Sequence, residues 1–586
     1  MPKLTRRSAI AGLAGSALGG GCASIIDPTD PNDPQLTDPN TPFTADVHSH
    51  VFNAADLQIK LFFDEVIALD KPELRVFGPL LGALGDFAPT AKDENEALDT
   101  LEGAANSHNH GMVQAAARQL REERYQYARW KLEEAYWNVY GPAAPRYQPR
   151  GVTSAAAQAR YEAAGARLKY NIDSLKAPNY TTFRANHRAA LKATAVVSAP
   201  SAAAGQSGLG VTVDGAFAFL MRNFQYRYVN VHDYLEEYSA GPRRKIHLMV
   251  TTNIDYDWPL GSKTGTRSSL TEQVLLAGRI SRLTRGWMHS YVPFCPFKQV
   301  AFNRGLTLEN PMALVKDAIL NHGHIGVKFY PPMGFRPLGN EVLPVDFWNQ
   351  SPLVEGLKRP FLGRDLDDAL RALYAFCHDN DVPIMAHTSP TNITVDKYKT
   401  EIMDPVYWKP MFARDGFPGL RVNFGHFGNT DILASGDTNA KGLMDLMTTG
   451  AGSPGERLYA DSAFFAEVLS QSGRIEAELA TLLRGTPLTG GAPLSERLMY
   501  GTDWEMVVIE GKLTTGYLED FQAVFDRLAA RPGLDPKGDL VNRFFGLNAV
   551  DYLGLRPGQL PRQRLDAFHR GRPQPAWMAK LGTRTA

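Results

Sequence analysis

Short apolar segments that alternate with helical patterns occur between residues 46 and 503 and restrict the fold more than any other feature. The segments are rich in β-branched and aromatic residues, as buried strands are, and helical stretches such as residues 366–378 separate most of them. Strands that alternate with helices form parallel sheets, and eight such units close into a barrel. The pattern therefore predicts an α/β fold, a (β/α)₈ TIM barrel, with strands at 46–50, 246–252, 291–294, 325–329, 382–387, 420–426, 458–461 and 498–503.

A long segment, residues 54–244, separates the first strand from the second and is mainly helical in pattern. Its residues 114–140 mix Ala, Leu, Glu and Arg with regularly placed Tyr and Trp, and residues 154–176 continue similarly. Because the loops after barrel strands lie on the active face, we expect a helical insertion that caps a site. A separate helical domain with no part in chemistry is the alternative. The barrel is then predicted to comprise residues 45–53 and 245–555, followed by a C-terminal tail, 556–586.

Residues 1–44 are predicted to lie outside the fold. The basic start contains Arg6 and Arg7, and a short Ala/Gly/Leu stretch follows it and ends near Cys22. This pattern predicts a signal peptide of the twin-arginine type, too short to span a membrane. We therefore expect an exported protein, periplasmic or membrane-anchored, with Cys22 either carrying a lipid anchor or lying near a simple cleavage site. The Pro- and Asp-rich residues that follow are typical of an extended linker.

The charge balance and the cysteine count exclude two classes of protein. Lysine plus arginine and aspartate plus glutamate number 62 each, so the formal net charge is zero, and no global field favours nucleic acid. Beyond Cys22 only Cys295 and Cys377 remain, and two cysteines are no disulfide framework. We expect both to be buried thiols.

Polar residues recur at the C-terminal ends of the predicted strands. His48 and His50 lie two residues apart in a strand, so both imidazoles project to one face, and such a pair can begin a divalent-metal site. Barrels keep their active sites at this end, and a set spread over five strands is poorly explained by coincidence. We therefore predict a metal site built from the ends of strands one, four, five, six and eight, at His48, His50, Lys328, His387, His426 and Asp503.

Around these residues the sequence resembles the amidohydrolase superfamily. It is most similar to the branch of amidohydrolase-related hydrolases and aminocarboxymuconate-semialdehyde-type decarboxylases. The similarity covers residues 45–51 and about 244–555, whereas the leader, the insertion and the tail have no recognised counterpart. The matching segments are DVHSH (46–50), GVKFYPP (326–332), PIMAHT (383–388), NFGHFGN (423–429), YGTDW (500–504) and FGLNA (545–549).

The resemblance implies a role for each polar residue. His48, His50 and His387 would bind a divalent metal, expected to be Zn²⁺, with Asp503 as a further ligand or close partner. A bound Zn²⁺ lowers the pKa of its water to about 7, and Asp503 would take the proton from that water. His426 would bind a second metal or donate a hydrogen bond to the developing oxyanion.

The resemblance leaves the role of Lys328 open. In binuclear members of the superfamily, a lysine on strand four is carboxylated and bridges two metals. In this branch a lysine in a Gly-Val-Lys run fills the barrel or binds a substrate carboxylate. We expect one metal ion, with two as the alternative.

Three functions are compatible with these residues. The leading hypothesis is an exported metal-dependent hydrolase that attacks a C–N or C–O bond of a small organic substrate. A non-oxidative decarboxylase is the alternative, with Lys328 and Arg336 as candidates to bind the substrate carboxylate. A non-catalytic binding protein is a third reading, and the complete set of ligands argues against it.

Overall fold

The computed structural model describes most of the chain from residue 41 to residue 581. The described ranges are 41–51, 53–56, 58–62, 72–105, 110–142, 154–197, 212–238, 244–255, 266–349, 355–389, 401–413, 416–428, 439–447, 457–465, 468–484, 493–510, 515–572 and 574–581. The predicted signal peptide and most of the linker, including Arg6, Arg7 and Cys22, lie outside the described residues. In these ranges no helix has the length and apolar character needed to cross a lipid bilayer.

Eight parallel strands form the sheet at the centre of the described fold, in the order β1 to β8. All of their residues are buried, as expected for parallel strands that are covered on both faces. The arrangement confirms the predicted (β/α)₈ TIM barrel. The strands are β1 (Ala45–Ser49), β2 (Leu248–Thr252), β3 (Met288–Phe294), β4 (Gly326–Phe329), β5 (Ile384–His387), β6 (Val422–Gly425), β7 (Leu458–Asp461) and β8 (Leu498–Met499).

The first and last strands approach each other and nearly close the barrel. The backbone N–H of Val47 donates to the carbonyl of Tyr500 at 3.1 Å, and Ser49 forms an isolated parallel bridge with Trp504. These bonds bring the C-terminal ends of β1 and β8 side by side.

Helices follow most of the strands and cover the outer face of the barrel. In the helix after β4, the buried residues Leu366, Leu370 and Leu373 recur at helical spacing and form one apolar face. The helix after β2 begins with a capping box between Ser269 and Glu272. The helices between β2 and residue 555 are Leu270–Leu283, Pro296–Asn303, Pro311–Asn321, Leu362–Asp379, Lys409–Phe412, Asn439–Met447, Val468–Arg484, Thr515–Ala529, Leu540–Asn542 and Asn548–Leu553.

The region between β1 and β2 is helical, in agreement with its sequence pattern. A hydrophobic cluster that includes Leu80, Tyr125, Leu168 and Phe217 packs these helices together, and Ile509 of the loop after β8 belongs to the same cluster. The helices are Ile59–Phe62, Gly78–Phe87, Ala91–Ala105, His110–Tyr140, Ala155–Ser174, Tyr180–Val197, Val213–Asn223 and Arg227–Tyr238.

A buried ionic network attaches this helical region to the loop after β1. Arg227 forms ion pairs with Asp56 and Glu94, and all three side chains are buried. Glu94 also accepts a hydrogen bond from Asn53 Nδ2 at 2.6 Å. Removing one partner would leave a buried charge uncompensated, which is costly. The network therefore fixes the chain immediately after His50.

The predicted C-terminal tail folds against the barrel as two helices, Leu560–Phe568 and Ala576–Leu581. Leu565 and Trp577 are buried in a cluster that contains Ala45 and Leu248, the first residues of β1 and β2. The tail therefore covers the N-terminal end of the barrel, opposite the end where the predicted site residues lie.

The two cysteines of the described residues are buried free thiols, as predicted. Cys295 caps the helix Pro296–Asn303, and its Sγ accepts from the backbone N–H of Lys298 at 3.4 Å. Burial raises the pKa of both Cys295 and Cys377 above the ordinary range. Neither side chain is therefore a reactive thiolate.

Candidate metal centre

The histidines and the aspartate predicted at the strand ends lie together at the C-terminal end of the barrel. Nε2 of His50 and Nε2 of His48 lie 3.1 Å and 3.5 Å from Oδ1 of Asp503. Nδ1 of His387 lies 3.0 Å from Nε2 of His426. One ligand atom from each of His48, His426 and Asp503 lies within 4.8 Å of the other two. The structure thus brings all five side chains to one place.

In each of the four imidazoles, one ring nitrogen points away from the centre and contacts an oxygen that can accept a hydrogen bond. We call it the outer nitrogen, and the other, which points into the centre, the inner nitrogen. A carbonyl or carboxylate oxygen can only accept, so these outer nitrogens carry the ring protons. In a neutral ring the inner nitrogen therefore has a lone pair. The outer contacts are His48 Nδ1 to Asp461 Oδ2 (3.1 Å), His50 Nδ1 to Thr252 O (2.8 Å), His387 Nε2 to Ser389 O (2.9 Å) and His426 Nδ1 to Ala463 O (3.0 Å).

The inner lone pairs face one another and the carboxylate of Asp503. The inner nitrogen of His50 faces a carboxylate oxygen at 3.1 Å, and those of His387 and His426 face each other at 3.0 Å. Two lone pairs at such distances repel unless a cation lies between them. Donor atoms spaced in this way suit an ion that binds nitrogen and oxygen at about 2.0–2.2 Å. The donor set therefore fits a divalent cation.

The protonation states agree with this donor set. Burial is the main cause that lowers the pKa of His48 and of His387 well below 6.5, and burial also lowers the pKa of His426. Burial raises the pKa of the Asp503 carboxyl, but the contact with His50 and the charges that His426, His50 and His48 carry when protonated outweigh burial and lower this pKa to about 2. Neutral imidazoles and an ionised carboxylate are the forms that bind metal ions.

Left-handed backbone at two strand ends turns side chains towards the centre. His426, directly after β6, has φ of 64°, and Asp503, after β8, has φ of 57°. Non-glycine residues rarely adopt this conformation, and such residues cluster at functional sites. The preceding glycines permit a close approach. A Cβ atom added to Gly425 would lie 3.0 Å from Cε1 of His48, and a Cβ atom added to Gly501 would lie 3.1 Å from Cβ of His48.

Lys328 extends from β4 to the same centre. Its Nζ lies 3.5 Å from Nε2 of His48 and 3.0 Å from Sδ of Met385. Burial lowers the pKa of Lys328 to about 7, although the charges of Asp503 and Asp461 oppose the shift. Near neutral pH the amine is thus partly neutral and partly cationic, so both predicted roles of Lys328 stay open.

Arg336, the second candidate for a substrate carboxylate, is engaged elsewhere. Its Nε donates to the carbonyl of Glu401 at 2.9 Å, and its guanidinium lies 3.7 Å from the centre of the Tyr407 ring. Lys328 is therefore the better candidate for a carboxylate-binding cation.

Among the residues that contact the predicted ligands, the sequence analysis did not single out the side chains of Asp461, Asp46 and Tyr330. Asp461, at the end of β7, accepts from His48 Nδ1 at 3.1 Å. Asp46 accepts from the backbone N–H of His48 at 3.1 Å, and the ring of Tyr330 lies against His387 with centroids 4.6 Å apart. The position of an acid at the end of a predicted strand could have revealed Asp461. Asp46 and Tyr330 lie in the matching segments 46–50 and 326–332, but their residue types alone predict no contact with a ligand.

Comparison with known proteins supports an enzyme family. Residues 321–555 match the family model described as amidohydrolase. A search of curated proteins finds no match to the chain. The family match includes β4 to β8 and thus four of the predicted site residues, whereas His48 and His50 precede it in the same barrel.

Several solved structures match this chain at low identity and low TM-score. An uncharacterized TIM-barrel protein from Bordetella bronchiseptica is 15% identical, with 55% of this chain and 81% of that one covered and a TM-score of 0.32. A probable 2-pyrone-4,6-dicarboxylic acid hydrolase from Acinetobacter baumannii, with citric acid bound, is 12% identical (57% and 90% covered, TM-score 0.31). An amidohydrolase from Burkholderia multivorans with bound Zn is 10% identical (53% and 84% covered, TM-score 0.28). Values this low carry no argument about this chain.

The family model and the geometry concern the same part of the molecule. Lys328, His387, His426 and Asp503 all lie within the matched residues, and the donor set that they complete fits the divalent metals that amidohydrolases use. Residues 321–555 thus resemble amidohydrolases, and the match supports the amidohydrolase superfamily for the part of the barrel from β4 to β8.

Proposed function

We propose that the protein is a metal-dependent hydrolase that acts on a C–N or C–O bond of a small organic substrate. One observation carries the proposal: four imidazoles, each with its outer nitrogen on an oxygen acceptor, present their inner nitrogens to each other and to the carboxylate of Asp503. The match of residues 321–555 to the amidohydrolase family supports the same class of enzyme.

We assign a divalent ion, expected to be Zn²⁺, to His48, His50, His387 and Asp503. Imidazole nitrogens with one carboxylate oxygen are a ligand set that zinc prefers. The Nδ1 proton of His426 is engaged by Ala463, so the neutral ring has no proton to donate to an oxyanion. We therefore favour His426 as a ligand, either to the same ion or to a second one.

In the proposed hydrolysis, the metal ion and the protein side chains have different roles. When bound, a divalent cation would supply Lewis-acid chemistry by making water more acidic and polarising a substrate carbonyl. Asp503 would accept a proton from the attacking water at a carboxylate oxygen and return it to the leaving group.

Metal analysis combined with hydrolysis assays tests this proposal. The full chain is purified, stripped with a chelator and reloaded with Zn²⁺, and each form is assayed on a panel of esters, lactones and amides. We expect about one Zn²⁺ per chain, loss of hydrolysis on stripping and recovery on reloading. Hydrolysis at an unchanged rate by the stripped protein would contradict a metal-dependent mechanism.

A non-oxidative decarboxylase is the second candidate, and the position of Lys328 favours it. A partly cationic Nζ that lies 3.5 Å from His48 Nε2 could hold a substrate carboxylate beside the metal ligands. Carbon dioxide released from aromatic and unsaturated carboxylic acids, measured on the Zn²⁺-loaded protein, separates the two reactions. Release of carbon dioxide without any hydrolysis would favour the decarboxylase.

We also propose export through the twin-arginine pathway, from Arg6 and Arg7 and the short apolar stretch that follows. Replacing both arginines with lysine keeps the charge but removes the feature that the export machinery reads. We expect the precursor to accumulate in the cytoplasm. Undiminished delivery outside the cytoplasm would contradict this signal type, and mass spectrometry of the exported form would show whether Cys22 carries a lipid.

A further inference from the structure

Asp461, a fully buried carboxylate at the end of β7, organises two of the predicted ligands at once. Its Oδ2 accepts from His48 Nδ1 at 3.1 Å and from Asn423 Nδ2 at 2.6 Å. Its Oδ1 accepts from the backbone N–H groups of His426 at 2.9 Å and of Ala463 at 3.0 Å. None of these four hydrogen bonds belongs to the backbone pairing between strands. All four instead hold the residues at the ends of the strands in place.

These four bonds exclude a ligand role for Asp461 itself. An ionised carboxylate offers about four lone-pair sites on its two oxygens, and four donors occupy them. Binding an ion directly would require Asp461 to release donors that are buried, and each buried donor left unsatisfied is costly. Asp461 therefore acts through the residues that it holds.

The contact with His48 determines which ring nitrogen is available. Asp461 accepts a hydrogen bond from the Nδ1–H of His48, so the proton stays on Nδ1 and Nε2 keeps the lone pair that faces Asp503 at 3.5 Å. Carboxylates placed in this way fix the tautomer and the ring orientation of histidine ligands and increase their basicity.

The contact with His426 works through the backbone. The Oδ1 bond to its N–H supports the left-handed conformation, with φ of 64°, that directs the ring inward. The same oxygen binds the N–H of Ala463, and the carbonyl of Ala463 accepts the Nδ1 proton of His426. One carboxylate thus fixes both the backbone and the ring of this histidine.

We propose that Asp461 is a positioning residue for the metal centre, which sets the tautomer of His48 and the orientation of His426. The inference rests on the proposed metal-dependent function and deepens it. On this inference, β7 provides none of the predicted ligands but aligns the ligands that come from β1 and from the end of β6.

The test compares Asp461→Asn with a matched control, Asp367→Asn, in the full chain. Asp367 is also buried, and it accepts from the backbone N–H groups of Asn340 and Glu341 at 3.0 Å and from Asn340 Nδ2 at 2.8 Å, but it contacts no histidine. Zn²⁺ affinity is measured by competition with a chromophoric chelator. The absorption spectrum of the Co²⁺-loaded protein and the unfolding temperature of the metal-free protein are recorded in parallel.

We expect both variants to unfold at lower temperature than the unmodified protein. Only Asp461→Asn should weaken Zn²⁺ binding, by about 10- to 100-fold, the usual loss when a partner of a histidine ligand is removed. It should also change the Co²⁺ spectrum, which a purely structural role would not do. Unchanged affinity and spectrum in a folded Asp461→Asn protein would overturn the inference.

Two further variants keep the test decisive. If Asp461→Asn does not fold, Asn423→Ala removes one donor that holds Asp461 and should weaken Zn²⁺ binding less strongly; unchanged affinity there would overturn the inference. His48→Ala tests the centre itself. Zn²⁺ affinity unchanged in His48→Ala would refute the proposed centre, whereas loss in His48→Ala with normal affinity in Asp461→Asn would refute the positioning role alone.

Discussion

Nδ1 of His387 lies 3.0 Å from Nε2 of His426, and the other nitrogen of each ring donates to a backbone carbonyl, of Ser389 and Ala463 respectively. A neutral imidazole has one proton, so the two facing nitrogens both carry lone pairs. Burial prevents either ring from relieving the contact by protonation, because it lowers the pKa of both. We infer that a cation shared by the two nitrogens relieves it, with Nδ1 as the ligating atom of His387.

His387→Ala and His48→Ala should each abolish metal binding and nearly all turnover. Because a ligand that binds only the folded state stabilises it, by about 2.7 kcal/mol at one hundred times its Kd, Zn²⁺ should no longer raise the unfolding temperature. Elemental analysis and thermal unfolding with and without Zn²⁺ measure both effects. His378→Ala is the control, since that side chain is 51% exposed at the end of a helix. Full metal occupancy in both site variants would show that the ligands are wrongly assigned.

Lys328→Ala distinguishes one metal from two. If Lys328 is carboxylated, its loss should lower the metal count, and short-chain carboxylates added to the solution should partly restore activity. If the amine only contacts His48 and the substrate, as we expect, the count stays near one per chain and only rate or substrate binding falls. Elemental analysis of both proteins decides between these outcomes, and two ions in the unmodified chain would contradict our expectation.

Asp503→Asn tests the proton transfer separately from metal binding. Asparagine keeps the size and one oxygen of the side chain but cannot accept a proton from water. We expect metal to be largely retained and turnover to fall by about 10²–10⁴, the usual contribution of general acid–base catalysis. Steady-state kinetics of the Zn²⁺-loaded variant provide the measurement, with Asp367→Asn as the control. Near-normal turnover would exclude Asp503 as the base.

The sequence predicted the barrel because strand patterns and their polar ends are local signals. The predicted strand 458–461 coincides with β7, whereas the predicted strand 498–503 is longer than β8. The difference has a physical cause. The backbone N–H of Tyr500 donates to Phe544 instead of to a neighbouring strand, and Asp503 adopts a left-handed conformation.

Long-range contacts were the part that the sequence could not supply. His48 and Asp461 are far apart in the chain, and nothing in either local sequence indicates that their side chains meet. The atom by which each histidine faces the centre likewise depends on partners from other strands, such as Thr252 for His50. Residue types at strand ends are therefore predictable, whereas tautomers and supporting contacts require the fold.

The opposite end of the barrel contains a histidine pair that should make the fold sensitive to acid. His289 of β3 and His569 of the C-terminal segment are buried, with their Nε2 atoms 3.5 Å apart. Nδ1 of His289 donates to the carbonyl of Gly323 at 2.8 Å. Burial lowers the pKa of His289 to about 4 and that of His569 to about 3, from 6.5. Neither side chain lies in the candidate metal centre.

Because the pKa values of both histidines are lowered in the folded state, the unfolded chain binds protons more readily. The folded protein should therefore lose stability as pH falls from 6.5 to about 4 for His289 and to about 3 for His569. One pKa unit corresponds to about 1.4 kcal/mol, so His289 alone should account for about 3 kcal/mol at the acid end. His289→Asn keeps a donor for Gly323 but does not titrate, so the unfolding temperature of the metal-free variant should fall less steeply with pH. His378→Asn, on the surface, should behave as the unmodified protein. Equal pH dependence in all three would show that His289 is not a source of acid sensitivity.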